Sequence, residues 1–152
     1  MTLAFSLLLP SDYQKLYEKM TDFENLKDYL PMQIESVQIL NNFDKFVLQE
    51  NQIVTEEKIV SNSILKASFI QQSLHTLHEN ELKTQIIEGP GKDTKINILF
   101  EKKDKQTLVS IEIDLKLKLK YIFVSPIIKK EYKKMLTSIL YRINTGVQNE
   151  LE

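Results

Sequence analysis

Toward the C-terminus the hydrophobic period of the chain changes from two to about 3.6 within a few residues. Ile111, Ile113, Leu115, Leu117 and Leu119 alternate with Glu112, Asp114, Lys116, Lys118 and Lys120. Alternation of this kind gives a strand with one apolar and one charged face, as in an antiparallel sheet solvated on one side. From Ser125 onward, Ile128, Tyr132, Met135, Leu136, Ile139, Leu140, Ile143 and Val147 recur at helical spacing. Ser125 suits an N-cap and Pro126 the first helical position. The helix is expected from Pro126 to about Gln148, roughly 35 Å at 1.5 Å per residue. A one-faced sheet needs a cover and a one-striped helix needs a partner. The chain therefore has to lay this helix on its own sheet.

The rest of the sequence supplies that sheet. Leu3, Phe5, Leu7 and Leu9 alternate with Ala4 and Ser6, and Pro10 ends this first strand. Ser11 with Gln14 reads as a capping box, followed by the face Tyr13, Leu16, Tyr17 and Met20. Thr21 with Glu24 reads as a second box, with Phe23, Leu26 and Leu30 on its face and Pro31 as the stop. Two short helices thus follow the first strand. Period two then dominates. Strands are expected at Gln33–Leu40, Lys45–Gln49, Ile53–Ser61, Ser68–His78, Leu82–Glu88, Lys95–Lys102 and Thr107–Lys120. The connections are short, which favours an antiparallel meander. The expected architecture is α+β: a curved antiparallel sheet of about six to seven strands around a long C-terminal helix, in one domain over residues 1–152.

Composition removes several function classes. The chain has 152 residues and a net charge of −1, so it lacks the basic excess of a nucleic-acid binder. It contains no Cys, which removes disulfides, thiol catalysis and thiolate metal sites. Its longest nearly apolar stretches, Leu3–Pro10 and Tyr121–Ile128, fall far short of the roughly 20 residues of a spanning helix. The N-terminal MTLAFSLLLPSD has no basic leader and no small-residue cleavage site, so the expected location is cytoplasmic.

The element order resembles the helix-grip superfamily known as SRPBCC, which includes START-like and polyketide cyclase-like domains. The resemblance is carried by three segments. FSLLLPSDYQKLYEKMTDFENLKDYLP resembles the opening strand and two helices, EGPGKDTKINILFE a glycine turn between middle strands, and IEIDLKLKLKYIFVSPIIKKEYKKMLTSILYRIN the last strand and closing helix. The resemblance implies a hydrophobic cavity between sheet and helix that receives lipids, quinones, isoprenoid-like molecules or polyketides. It implies no shared catalytic residue and no cofactor. Fold alone does not assign function.

The polar residues give weak chemical signals. His75 and His78 stand three apart on a strand and point to opposite faces, so they do not chelate one metal. Gly89-Pro90-Gly91-Lys92 lacks the spacing and the following helix of a phosphate loop, and reads as a hairpin turn. Glu56 and Glu57 are adjacent on a strand, so one of them could face inward and act as an acid or base. A solvated position is the simpler expectation for both. No ordering of nucleophile and base is visible, so no catalytic residue is assigned.

The residues expected to line an interior ligand site are Phe5, Leu26, Leu30, Leu115, Leu117, Tyr132, Leu136, Ile139, Leu140 and Ile143, with core packing as their alternative role. The expected activity is binding of a hydrophobic small molecule in a cavity of roughly 300 Å³ or more, with transport as its extension. The alternatives are a cyclase- or dehydratase-type enzyme and an interaction protein whose cavity is filled. A separate expectation concerns membranes. Lys129, Lys130, Lys133 and Lys134, with Lys116, Lys118 and Lys120, flank the apolar run YIFVSPII. Peripheral contact with an anionic membrane would gain up to about 1 kcal/mol per lysine. Plain solvation of these lysines is the alternative. Nothing in the sequence fixes an oligomeric state.

Overall fold

The computed structural model describes residues 2–60 and 68–150. In order, the chain forms strand β1 (Thr2–Leu9), helix α1 (Tyr13–Met20), a 3-10 turn (Phe23–Asp28), strands β2 (Ile34–Ile39), β3 (Gln52–Val60), β4 (Ser68–Leu77), β5 (Glu81–Glu88), β6 (Lys95–Lys103) and β7 (Gln106–Asp114), a second 3-10 turn (Leu119–Val124) and helix α2 (Ser125–Glu150).

The strands form one antiparallel sheet in the order β1-β7-β6-β5-β4-β3-β2. Consecutive strands from β2 to β7 pair as a meander. β1 joins its far side through pairs such as Phe5 with Ile111 and Leu7 with Val109. Side chains of alternating parity meet on one inner face: Leu9, Leu82, Ile98, Phe100, Val109, Ile111 and Ile113 are all buried there. α2 covers this face with Leu136, Ile139, Leu140, Ile143 and Val147, and α1 adds Leu16 and Met20. The C-terminal half of α2 is tied to the start of the chain. Ser11 Oγ donates to Asn144 Oδ1 at 2.5 Å, and Gln148 Nε2 donates to the Pro10 carbonyl at 2.7 Å. The closest backbone approaches of α2 are to α1, β1 and the second 3-10 turn. On the β2–β3 side Val37, Ile53 and Ile59 are half-buried, as are Leu3, Phe5 and Leu7 on β1.

Four expectations are corrected. The last strand stops at Asp114, which pairs with Thr2, the first described residue of β1, and with Lys95, the first residue of β6. Lys116 is instead held by Thr94, whose hydroxyl accepts from its N–H at 3.1 Å. Second, Lys45–Gln49 is a loop, not a strand. A bulge at Gln72/Ser73 puts Glu88 beside Gln72 on the outer face, and Lys45 reaches that Glu88 at 3.2 Å. Phe43 and Phe46 pack edge to face at 4.7 Å. Third, the cap of α1 is Asp12, whose carboxylate accepts from the N–H groups of Gln14 and Lys15; Ser11 is spent on Asn144. The Thr21 hydroxyl bonds back to the Tyr17 carbonyl at 2.8 Å, and the segment after it is a 3-10 turn. Fourth, Ser125 has helical angles (φ −55°, ψ −36°) and continues from the second 3-10 turn into α2 without capping it. Ser61, the expected end of the third strand, lies outside the described residues.

Candidate functional site

The inner face of the sheet is apolar except along β3, β4 and β5. Thr55 and Glu57 follow Ile53 at the same parity on β3, Ser73 and His75 sit opposite on β4, and Thr84 follows on β5. Thr55, Glu57, Ser73 and His75 are all buried. Buried polar groups are costly unless they bond to one another, and these do. Thr55 Oγ1 donates to Glu57 Oε1 at 2.7 Å, and Ser73 Oγ donates to Glu57 Oε2 at 3.2 Å. His75 Nε2 lies 2.8 Å from Thr55 Oγ1, and His75 Nδ1 lies 2.8 Å from Thr84 Oγ1.

The direction of this chain follows from proton counting. Burial pushes the His75 imidazole down to about 3, so it is neutral at ordinary pH. A neutral imidazole has one donor and one acceptor. With Glu57 ionised, the Thr55 hydroxyl proton is committed to the carboxylate, so Nε2–H donates to Thr55. Nδ1 then accepts from Thr84. The bonds run Thr84 to His75 to Thr55 to Glu57. The 3.9 Å approach of His75 to Glu57 is therefore not an ion pair.

Glu57 corrects the expectation that both adjacent glutamates are solvated. Glu56 points outward, where Gln72 Nε2 donates to its Oε1 at 3.4 Å, and Glu57 points inward. Burial raises the Glu57 carboxyl to about 7, against the opposing bonds from Thr55 and Ser73. Two aromatic rings bound the cluster. Phe23, from the first 3-10 turn, stacks on His75 at 4.1 Å between ring centres. Tyr132, from α2, has its phenol raised to about 12 by burial, with the nearby Glu57 charge adding to it. Its hydroxyl lies 3.4 Å from where a Cβ on Gly91 would stand. A carboxyl poised near neutrality beside a neutral imidazole can exchange a proton or hydrogen-bond a polar group brought to it.

The expected lining residues divide along α2. Leu136, Ile139, Leu140 and Ile143 are buried in the core, as are Leu30 and Leu115. Phe5, Leu26 and Tyr132 are half-buried against that core. Leu117 lies beyond the end of β7 and is half-buried, so it does not continue the inner face of that strand. Two surface recesses, of about 380 and 400 Å³, are lined at Gln38–Lys45 with Gln72, and at Ala4–Ser6 with Asn97 and Ser110–Glu112. Both open on the outer face of the sheet, away from α2. His78 is exposed just past β4, and its carbonyl accepts from the Tyr17 hydroxyl. Gly89–Asp93 forms the turn between β5 and β6. Lys130, Lys133 and Lys134 are exposed, and Lys129 Nζ donates to the Thr2 carbonyl at 3.4 Å. Among the described residues, no three acidic or histidine side chains are placed to hold a metal ion, and no helix is long and apolar enough to cross a membrane.

Sequence reasoning passes over Thr55, Ser73 and Thr84, and weighs His75 only as a metal ligand. The usable signal was parity: Glu57 shares the face of Ile53 and Ile59, and His75 that of Ser73.

No family model matches the chain, and no curated protein matches its sequence. Solved structures do. The Zhui aromatase/cyclase from Streptomyces sp. R1128 superposes with a TM-score of 0.81 at 10% identity, covering 100% of this chain and 96% of that one. A protein from Thermus thermophilus gives 0.80 at 15% identity over 100% of both chains. A START superfamily protein from Mycobacterium smegmatis gives 0.74 at 16% identity over 97% of both. Together with the seven-stranded sheet and its long closing helix, these likenesses establish the helix-grip fold for this chain.

Proposed function

We propose that the chain binds an apolar small molecule carrying one polar end, held between α2 and the inner face of β2–β5. The supporting observation is the hydrogen-bonded cluster Glu57–Thr55–His75–Thr84, set into an otherwise apolar face beside half-buried Val37, Ile53 and Ile59. A fold has no structural need for an ionisable carboxyl in such a place, and Glu57 costs it stability. Half-buried Ile53, Ile59 and Val37 would meet the apolar body of the ligand. Glu57, with the Tyr132 hydroxyl near it, would meet the polar end. A ligand burying about 300 Å² of apolar surface gains about 7.5 kcal/mol at about 25 cal/mol per Å², before the costs of association.

A second reading, acid–base catalysis on an apolar substrate, is favoured by one observation: the Glu57 carboxyl titrates near 7, where a group both gives and takes protons. Zhui, one of the solved neighbours, is itself an aromatase/cyclase.

The test is native mass spectrometry of the protein as purified, paired with titration of an environment-sensitive apolar dye and its displacement by long-chain alcohols and carboxylic acids. One-to-one binding is expected, with Glu57→Gln changing the preference between alcohol and acid. Absence of both a co-purified ligand and dye binding would overturn the proposal and favour a filled interior. A dye-binding Glu57→Gln variant that loses turnover of a substrate would establish the enzymatic reading.

A further inference from the structure

The second 3-10 turn and the start of α2 carry large apolar side chains that the fold does not use. Leu119 is 87% exposed, Phe123 81%, Ile122 49% and Ile127 48%. Scattered exposed apolar residues are ordinary, but a cluster on one short segment marks an interaction surface. The turn itself is well held. Val124 and Ser125 are buried at its end, and the Tyr121 N–H bonds to the Lys118 carbonyl at 2.8 Å. Its apolar side chains are thus presented on a backbone with its own hydrogen bonds.

Charge surrounds these residues. Residues 116–134 contain seven lysines and one acid, Glu131, so this segment carries +6 and the remainder of the chain −7. Ile127, Lys130 and Lys134 stand at i, i+3 and i+7, on one exposed face of α2. Lys118 and Lys120 flank Leu119 and are exposed as well. Apolar and cationic side chains therefore share one surface.

We propose that this surface, Leu119, Ile122, Phe123 and Ile127 with the lysines around them, docks the protein on an anionic lipid bilayer. Four apolar side chains on one short segment are too few for the roughly 1,200–2,000 Å² of a stable protein–protein interface. They suit shallow insertion at the headgroup boundary, where apolar burial and attraction to anionic lipid act together. Docking of this kind needs no interior ligand, so its failure would leave the ligand-binding proposal standing, and the reverse also holds.

The test is co-sedimentation of the full chain with vesicles of phosphatidylcholine alone and of phosphatidylcholine with about 30% phosphatidylserine, from low to high salt. Binding is expected to the anionic vesicles only, weakening at least about tenfold in roughly 0.5 M salt as the charges are screened. Lys130→Glu with Lys134→Glu should reduce it by about tenfold or more, and so should Phe123→Ser. All three positions are exposed, and circular dichroism and the thermal midpoint should match the wild type. No binding to anionic vesicles at low salt would overturn the proposal, as would equal binding to both vesicle types. Wild-type dimerisation that Phe123→Ser abolishes, without vesicle binding, would assign the surface to a second copy instead.

Discussion

Replacing Glu57 by Gln should stabilise the protein at alkaline pH. Gln keeps the size of the side chain and an oxygen that accepts from Thr55, and its amide can donate to Ser73. It removes only the charge. In the folded protein the carboxyl is raised to about 7, against an ordinary value of 4.5. Between these two values the folded state binds the proton and the unfolded state has lost it, so stability falls as pH rises. Each tenfold difference in proton affinity is worth about 1.4 kcal/mol, so above pH 7 the ionised Glu57 costs about 3 kcal/mol. Glu57→Gln should recover that amount at about pH 8 and less than about 1 kcal/mol at about pH 5, where the wild-type carboxyl is already protonated. His75 acts in the opposite sense. Its imidazole is lowered from 6.5 to about 3, so its contribution is present above 6.5 and is lost as pH falls toward 3. In the wild type the two slopes nearly cancel between pH 4.5 and 6.5. The variant keeps only the histidine slope and should lose stability on acidification. Urea unfolding at half-unit steps from about pH 4.5 to about 8.5 measures both effects. A variant less stable than the wild type at about pH 8 would refute the reasoning, because it would mean that Thr55 and Ser73 outweigh burial.

Leu140→Ala, at a fully buried core position, should cost about 2–5 kcal/mol in urea unfolding; a loss below about 1 kcal/mol would show that α2 is not seated on the sheet. Gly89→Ala should destabilise by more than about 1 kcal/mol, since the residue has φ +116° and an added Cβ would stand 2.9 Å from Gln71 Cβ. Gly146→Ala should instead stabilise by about 0.5–1 kcal/mol, because nothing lies within 4 Å of its Cβ position in α2. A shared sign for the two glycine variants in thermal unfolding would contradict the backbone geometry at Gly89.

Local pattern by itself determined most of the architecture. Parity along Leu3–Leu9 and Ile111–Ile113, and helical spacing from Ile128 to Val147, named the faces that meet, because a side chain's direction is fixed by the backbone repeat that carries it. The order of strand, short helices, meander and long helix was legible for the same reason. What failed depended on neighbours distant in sequence. The alternation continues to Lys120, yet β7 ends at Asp114, and just past it the Thr94 hydroxyl before β6 holds the Lys116 N–H. The pattern of Lys45–Gln49 predicts a strand too, yet it forms a loop whose lysine reaches Glu88 across the outer face. The candidate site was the least legible. Parity groups Glu57 with Ile53 and Ile59, but the Glu57 environment exists only where β3, β4, β5, Phe23 and Tyr132 converge. A proton affinity is a property of that enclosure, set by lost water and borrowed hydrogen bonds, and only the tertiary structure supplies it.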